Sequence, residues 1–396
     1  MTISRLGIAS VFLLISGSAV FAQNFSQDPS APPAARELPN DQIREKWKEV
    51  LNANLVTIVS GSPSGSYLRI AHDISAVTSS GNRMRVIPMV GKGAVQNTRD
   101  IMFLRGVDMG LVNVVALDYF EKSGELGTNL KSQLAYIAPL FQDELHVLTR
   151  TDIKSFRELE GKRVNFSGKG SGAQLSARTI FNALGMKVQE LNMRQAQAIE
   201  MIKRGELDAT LCTCLKPLPA HARVKPEDGL HLIPVAYDEP FQALYLPATI
   251  SHEDYPNLIP EGEVIETIAV QTMLAAYNWP PRHPRYARME RFVAAFFDSF
   301  DKLMQPPRHP RWKTVNLAGS IPGWTRFGPA QKWLDGNAGR RTNFDPSDKK
   351  MQAAFKAFLN EFTSNTSYAE IPPKQRDALY KEFSNWWKGK LKSASE

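Results

Sequence analysis

The 396-residue chain has little cysteine, and this restricts its class. Its two cysteines, Cys212 and Cys214, stand two positions apart. Secreted proteins that depend on disulfides carry more cysteines at wider spacing, so we expect no disulfide framework. Residues i and i+2 of a strand lie far apart for an unstrained bridge, and two thiols alone do not make a zinc site. We expect two small buried residues and no metal; a strained, redox-active bridge is the alternative.

Long apolar runs are also missing. The apolar run from Leu6 to Ile15 follows Arg5 and leads into small residues that end at Ala22. A run this short does not span a bilayer, and the pattern is typical of a signal peptide. We predict cleavage after Ala22 and a periplasmic protein without a transmembrane helix; an uncleaved anchor is the alternative.

Blocks of like charge do not occur either. The net charge is +8, but the basic residues are scattered among acidic ones and are not gathered in one run. This pattern disfavours nucleic-acid binding, whereas a mild positive field favours anionic solutes or an acidic partner surface.

What the sequence does contain is a strand, a loop of small residues and a helix within Leu55–Ser80. The run Leu55–Val59 is apolar and β-branched, and apolar residues recur at helical spacing from Tyr67 to Val77. Between them, Gly61–Ser66 offers hydroxyl groups and leaves the helix N-terminus open to an anion. The alternative is a plain strand-to-helix turn with a serine cap.

The same pattern of strand, glycine turn and helix recurs directly after this segment. A strand at Met84–Val90, a turn at Gly91–Gly93 and a helix at Ala94–Leu104 precede a third strand that contains Asn113. Consecutive units of this kind predict a parallel sheet, whose ligands lie at the carboxyl ends of the strands. That edge would carry Ser62–Tyr67, Gly91–Asn97 and Asn113.

A second lobe repeats the theme after two apolar runs that Gln142–Glu144 separates. Its loop Ser167–Gly172 lies between a strand at 163–166 and a helix at 173–184. The loop lacks the Lys-Ser/Thr pair of a phosphate-binding loop, and no dinucleotide fingerprint occurs, so we expect no nucleotide cofactor. Lys169 is predicted to make a charge-assisted contact or to be solvated.

The last third of the chain predicts mainly helices. After strands at 230–235 and 244–250, helical patterns cover Glu263–Tyr277, Tyr286–Met304, Pro346–Phe362 and Pro372–Lys388. The sequence PPRHPR occurs at 280–285 and at 306–311. Proline-led loops before helices explain both copies, and a basic docking surface is the alternative.

Three segments resemble the TAXI class of solute receptors of TRAP transporters. They are TIVSGSPSGSYLRIAHDIS, VIPMVGKGAVQNTRDIMFLRGVDMGLVN and SFRELEGKRVNFSGKGSGAQLSARTIFNALGM, in that order. The resemblance covers Val56–Leu334 and implies a two-lobed type II periplasmic-binding-protein-like α/β fold with additional C-terminal helices. The family's double-aromatic loop is changed here at Leu68, its second-turn serine is Ala94, and its third-strand glutamine is Asn113.

The resemblance implies a ligand that is a small organic anion, either a dicarboxylate or a glutamate-like amino acid, and no cofactor. Its implied partners are the membrane subunits of a TRAP-type transporter. The implied ligand contacts are Ser62, Gly65, Ser66, Tyr67, Asn97, Asn113, Ser167, Lys169, Gly170, Ser171 and Gly172.

The predicted organisation has five parts. They are a signal peptide at 1–22, a leader with a short helix at 23–54, a first lobe at 55–142 and 243–336, a second lobe at 143–242, and a C-terminal helical extension at 337–396. Two other functions remain open: a receptor that reports its ligand to a membrane sensor, and an enzyme that uses Cys212 and Cys214. No triad, metal cluster or carboxylate pair supports an enzyme, so we predict none.

Overall fold

The computed structural model describes residues 40–79 and 84–341. Contacts divide the chain into one unit up to Glu49 and a second unit from Val50 onward. Helix α1 (Asn40–Ala53) lies where a short helix is predicted. The predicted signal peptide, the leader before residue 40 and the two predicted C-terminal helices lie outside the described residues.

Three parallel strands form the first half-sheet. Strand β1 (Leu55–Val59) pairs with β2 (Arg85–Met89) on one side and with β3 (Met109–Asn113) on the other. Each strand leads into a helix, which are α2 (Ser66–Thr78), α3 (Ala94–Phe103) and α4 (Val114–Ser123). Helix α4 ends at Gly124, whose φ of 65° is a left-handed conformation that glycine adopts without strain.

A second half-sheet has the same order. Strand β5 (Arg163–Asn165) pairs in parallel with β6 (Gln189–Leu191) and β7 (Ala209–Cys214). Helix α6 (Gly172–Ala183) follows β5, and helix α7 (Gln195–Lys203) follows β6. Both half-sheets therefore place their loops at the carboxyl ends of parallel strands, as the sequence predicts.

Two long strands join the half-sheets. Strand β4 (Leu134–Arg150) pairs with β7 through its second part, and β10 (Val264–Tyr277) lies between β3 and β4. The order of strands along the main path of the sheet is β2-β1-β3-β10-β4-β7-β5-β6. The two apolar runs around Gln142–Glu144 are thus one strand that passes from one half-sheet to the other.

The predicted helix at Glu263–Tyr277 is wrong, because this segment is β10. A strand between two neighbours in a sheet is buried on both faces and loses the alternation of apolar and polar residues. Apolar residues at Ile265, Ile268 and Ala269 then imitate helical spacing. The β-branched residues in this segment were the better signal.

The remaining elements include two short edge strands, short helices and two long helices that follow β10. They are α5 (Leu130–Gln133), α8 (Pro219–Ala222), β8 (Leu230–Leu232), β9 (Leu246–Ser251), α9 (Pro284–Asp298), α10 (Phe300–Leu303) and α11 (Gly328–Arg341).

Strand β10 also connects two apolar cores. Met273 packs in a core around the first half-sheet, together with Phe296 and Trp312. Val270, three residues earlier, packs with Phe181 in the core of the second half-sheet. The chain therefore passes between the cores within one strand, while the predicted lobe boundaries stay a prediction.

The two PPRHPR copies have matching structural roles. In the first, the His283 side chain accepts a hydrogen bond from the Arg285 N–H at 3.2 Å and caps α9. In the second, His309 accepts one from the Arg311 N–H at 3.3 Å and caps a 3-10 helix, Pro310–Thr314. Proline in the first turn of a helix suits both positions.

Each copy also directs an arginine to a buried aspartate. Arg285 lies 3.9 Å from Asp108, and Arg308 lies 3.6 Å from Asp73. The side chains of Arg308 and Arg311 are only 21% and 20% exposed. These contacts support the interpretation as proline-led helix starts over that of a basic docking surface.

Candidate ligand-binding site between the half-sheets

The predicted loops of the two half-sheets meet at the carboxyl ends of their strands. A Cβ atom placed on Gly172 would lie 2.8 Å from Asn113 Nδ2 and 3.0 Å from Ala94 Cβ. A Cβ on Gly93 would lie 3.6 Å from the Gly172 nitrogen. We call this meeting of Gly93, Ala94 and Asn113 with Gly172 the loop contact. It leaves no room for a side chain at Gly172.

The first loop precedes α2. The Gly65 N–H donates to the Ser62 carbonyl at 2.9 Å, and the Ser62 and Ser64 hydroxyls lie 3.3 Å apart. Helix α2 begins at Ser66, and within the described residues no side chain caps it. Since the first N–H groups of a helix lack partners within it, this end offers donors to an anion.

Tyr67 is buried and faces a strand that joins the half-sheets. Its hydroxyl donates to Asp143 Oδ2 at 2.6 Å and lies 3.1 Å from Thr272 Oγ1. Thr272 donates to the same Asp143 oxygen at 2.9 Å. Burial and the neighbouring Asp143 raise the pKa of Tyr67 well above its usual value, so the phenol remains neutral.

Asp143 is the main site residue that sequence reasoning missed. Burial raises its pKa to about 7; the hydrogen bonds from Tyr67 and Thr272 oppose this rise. Its Oδ1 atom is buried and has no hydrogen-bond partner among the described residues. The signal in the sequence was the acidic pair Asp143–Glu144 between two apolar runs. This pattern was interpreted as the point where the chain crosses between lobes.

The next residue, Glu144, has its charge offset. Arg311 Nη2 donates to Glu144 Oε1 at 2.6 Å. Burial raises the pKa of Glu144, and Arg311 opposes that rise. Asp143 and Glu144 therefore differ in how their charge is compensated. Glu144 has the Arg311 cation at hydrogen-bond distance, whereas Asp143 accepts hydrogen bonds from neutral donors only.

The two predicted asparagines make contacts within the first half-sheet. Asn97 is buried, and its Nδ2 donates to the Leu111 carbonyl at 2.7 Å. Its Oδ1 has no partner within the described part of the chain. Asn113 accepts from the Ala116 N–H at 3.0 Å and caps α4. Both residues fix strand ends beside the loop contact.

The second loop is held from its own half-sheet. Ser167 has a φ of 65° and donates to the Leu211 carbonyl at 2.8 Å. The Gly170 N–H donates to Gln174 at 2.8 Å, and the Ser171 hydroxyl caps α6 by accepting from the Gln174 N–H at 3.0 Å. Lys169 is exposed.

The cysteines are free and buried at the end of β7. Cys214 Sγ lies 3.6 Å from His146 Nδ1, and His146 Nε2 lies 2.8 Å from the Tyr255 hydroxyl. Burial raises the pKa of Cys214 well above its usual value and lowers that of His146 to about 4. Both groups are neutral at pH 7, whereas an activated cysteine needs the opposite shift.

We therefore expect Cys214 to react slowly in the native state. In a Cys212→Ser variant, iodoacetamide should label Cys214 at least about tenfold more slowly in buffer than in denaturant, because only the thiolate reacts. Mass spectrometry over time measures both rates. Equal rates in the two solutions would contradict the burial and the raised pKa.

Residues 40–79 and 84–341 contain neither a candidate metal cluster nor a helix that could span a membrane. No group of three or more His, Cys, Asp or Glu is placed to hold a metal ion. No helix in these ranges has the length and apolar character needed to cross a membrane.

Comparison with known families adds the decisive observation. The model of the NMT1-like family matches residues 58–318 of this chain. The chain belongs to the NMT1-like family. The match spans β1 to the segment before α11 and includes every predicted ligand contact. The predicted α/β fold class is confirmed.

The solved structures to which this chain is similar are remote in sequence. A structure described as a periplasmic transporter is 14% identical, covers 74% of this chain and 99% of its own, and has a TM-score of 0.44. The periplasmic binding protein BugD is 12% identical, with 64% and 86% covered and a TM-score of 0.40. Protein AF1704 from Archaeoglobus fulgidus is 13% identical, with 85% and 97% covered and a TM-score of 0.41. These similarities add nothing about the ligand.

Proposed function

We propose that this NMT1-like protein is a periplasmic solute receptor without enzymatic activity. Its two lobes would close on a small organic anion, a dicarboxylate or a glutamate-like amino acid, and deliver it to a TRAP-type transporter of the TAXI kind. The observation that carries the proposal is the loop contact, because loops at the carboxyl ends of two parallel half-sheets meet there. Ligands of such sheets bind at that edge.

The chemistry of the two loops suits a carboxylate. The start of α2 presents backbone N–H groups without a side-chain cap in the described residues, and Ser62 and Ser66 lie beside it. The start of α6 meets the start of α3 at the loop contact. Positive helix ends and hydroxyl donors stabilise an anion, and exposed Lys169 would add a charge at the rim.

If the half-sheets close on the solute at the loop contact, adding one methyl group at Gly172 should weaken binding. Replacing Gly172 by alanine puts a Cβ 2.8 Å from Asn113 Nδ2, which is too close, so the loops must separate. We expect the solute to bind at least about tenfold more weakly, or about 1.4 kcal/mol. Isothermal titration calorimetry with the solute that most raises the melting temperature measures this change.

Gly168 provides the matched control. It lies in the same loop, and a Cβ there meets nothing within 4 Å. Gly168→Ala should bind as the unmodified protein does. If both variants are folded and bind with equal affinity, the loop contact is not part of the binding site. If no organic anion of the panel binds the folded protein, the proposed receptor function is wrong.

A further inference from the structure

Asp143 has one oxygen that its surroundings satisfy and one that they do not. Tyr67 and Thr272 both donate to Oδ2, whereas Oδ1 is buried without a partner in the described residues. The residue as a whole is 1% exposed. A buried acceptor of this kind costs free energy until a donor reaches it.

Several other buried oxygens in the described residues also have no partner, and two of them lie on α3 and β7, which adjoin the candidate site. Asn97 Oδ1 lies beside Gly91, since a Cβ atom placed on Gly91 would be 2.8 Å from it. The assignment of this oxygen is fixed because Nδ2 donates to a carbonyl oxygen. Thr213 Oγ1 lies on β7, where Thr213 pairs with Leu145. Since paired residues and residues two apart share a face of a sheet, Thr213 and Asp143 lie on the same face.

The three oxygens require hydrogen-bond donors more than acceptors. An amide oxygen and a carboxylate oxygen accept only, and a hydroxyl accepts as well as donates. A bare dicarboxylate has no N–H to offer them. Its own negative charge would also meet the ionised form of Asp143 unfavourably.

Charge leads to the same conclusion. Glu144 has Arg311 at 2.6 Å, but Asp143 has no ion-pair partner within the described residues. Tyr67 and Thr272 contact Asp143, and the titratable groups that interact with it electrostatically include Glu144, Arg311 and Cys214. The one cation among them is already paired with Glu144. A cationic group on the solute would supply the missing counter-charge.

We propose that the site selects solutes that carry an ammonium group, and that Asp143 is the residue that recognises this group. The inference rests on the proposed receptor function and narrows its ligand class. The ammonium donates to Asp143 Oδ1, while the carboxylate of the solute binds at the helix N-termini. Anions without an amine are therefore poor ligands.

Proton release accompanies this recognition. The unliganded carboxyl group has a pKa of about 7, so it is mostly protonated at pH 6 and ionises when an ammonium group binds. The affinity for an amine-bearing solute should fall about tenfold for each pH unit below 7. Solutes without an amine should not bind more weakly as the pH falls below 7, because the protonated form of Asp143 does not repel their carboxylates.

The test uses pairs of solutes that differ only in the amine. Calorimetry of the full chain at pH 6 and pH 8 compares glutamate with glutarate and aspartate with succinate. We expect the amine-bearing member of a pair to bind at least tenfold more tightly, with release of close to one proton at pH 6 measured in buffers of different ionisation enthalpy. Asp143→Asn should abolish both the preference and the proton release.

Asp100→Asn is the matched control, because burial also raises the pKa of Asp100 but it lies on α3 and bonds to Gln96. It should retain preference and proton release. If both members of a pair bind equally and Asp143→Asn changes nothing, the amine inference is overturned while the receptor function stands. If no solute binds the folded protein, both fail.

Discussion

Replacing Asp73 by alanine is expected to lower the free energy of unfolding by about 3–5 kcal/mol. Asp73 is 3% exposed on α2, and its Oδ2 accepts hydrogen bonds from the His309 N–H at 2.8 Å and from Trp312 Nε1 at 3.0 Å. Arg308 lies 3.6 Å from its other oxygen. Removing the carboxylate leaves two buried donors and a cation without their partner.

Urea unfolding followed by circular dichroism measures this loss. Asp301→Ala is the control, since Asp301 is exposed on α10, and it should change the free energy of unfolding by less than about 0.5 kcal/mol. A loss below about 1 kcal/mol for Asp73→Ala would show that the three contacts contribute little.

The Asp73 cluster also positions the candidate site. Asp73 and Tyr67 lie on the same helix, so the second PPRHPR copy fixes the helix from which Tyr67 reaches Asp143. The second PPRHPR copy thus supports the candidate site by holding α2 in place. These contacts explain the composition of the repeat without a binding partner.

Local patterns were sufficient to predict the parallel units. The predicted strand Leu55–Val59 has the same bounds in β1, and the small-residue loops lie at the carboxyl ends of the strands. Short apolar runs and glycine turns act over a few residues, so the sequence displays them directly. The ligand contacts predicted on these loops remain a prediction.

Contacts between distant residues were not available from the sequence. Tyr67 and Asp143 are 76 positions apart, and Tyr67 and Thr272 are 205 apart. An acidic residue within an apolar run is interpreted as a break in the strand unless the residues that donate hydrogen bonds to it are known. The same reasoning explains β10, because burial by two neighbouring strands removed the alternation that identifies a strand.

The Asp143→Asn variant is expected to change how stability depends on pH. The aspartate of an unfolded chain ionises near pH 3.9, whereas burial raises the native pKa of Asp143 to about 7. Between these values the native state binds one proton more than the unfolded state. The free energy of unfolding therefore falls as pH rises, by about 1.4 kcal/mol per pH unit until the native group ionises.

From pH 5 to pH 8, the unmodified protein should lose about 2–3 kcal/mol relative to Asp143→Asn. The low pKa values of His146 and His309, both about 4, act in the opposite direction below pH 6.5. Both proteins contain these histidines, so their effect cancels in the difference. Urea unfolding at four pH values measures it, and parallel profiles would contradict a native pKa near 7.

An amine-bearing solute connects this stability cost to the proposed recognition. At pH 8 the buried Asp143 carboxylate is ionised and has no cation paired with it in the described residues. A bound ammonium group would remove that cost, so the affinity, and with it the stabilisation by the solute, should be greater where Asp143 is ionised. The gain in stability at a fixed solute concentration should then be larger at pH 8 than at pH 5 for the unmodified protein, and equal at both for Asp143→Asn.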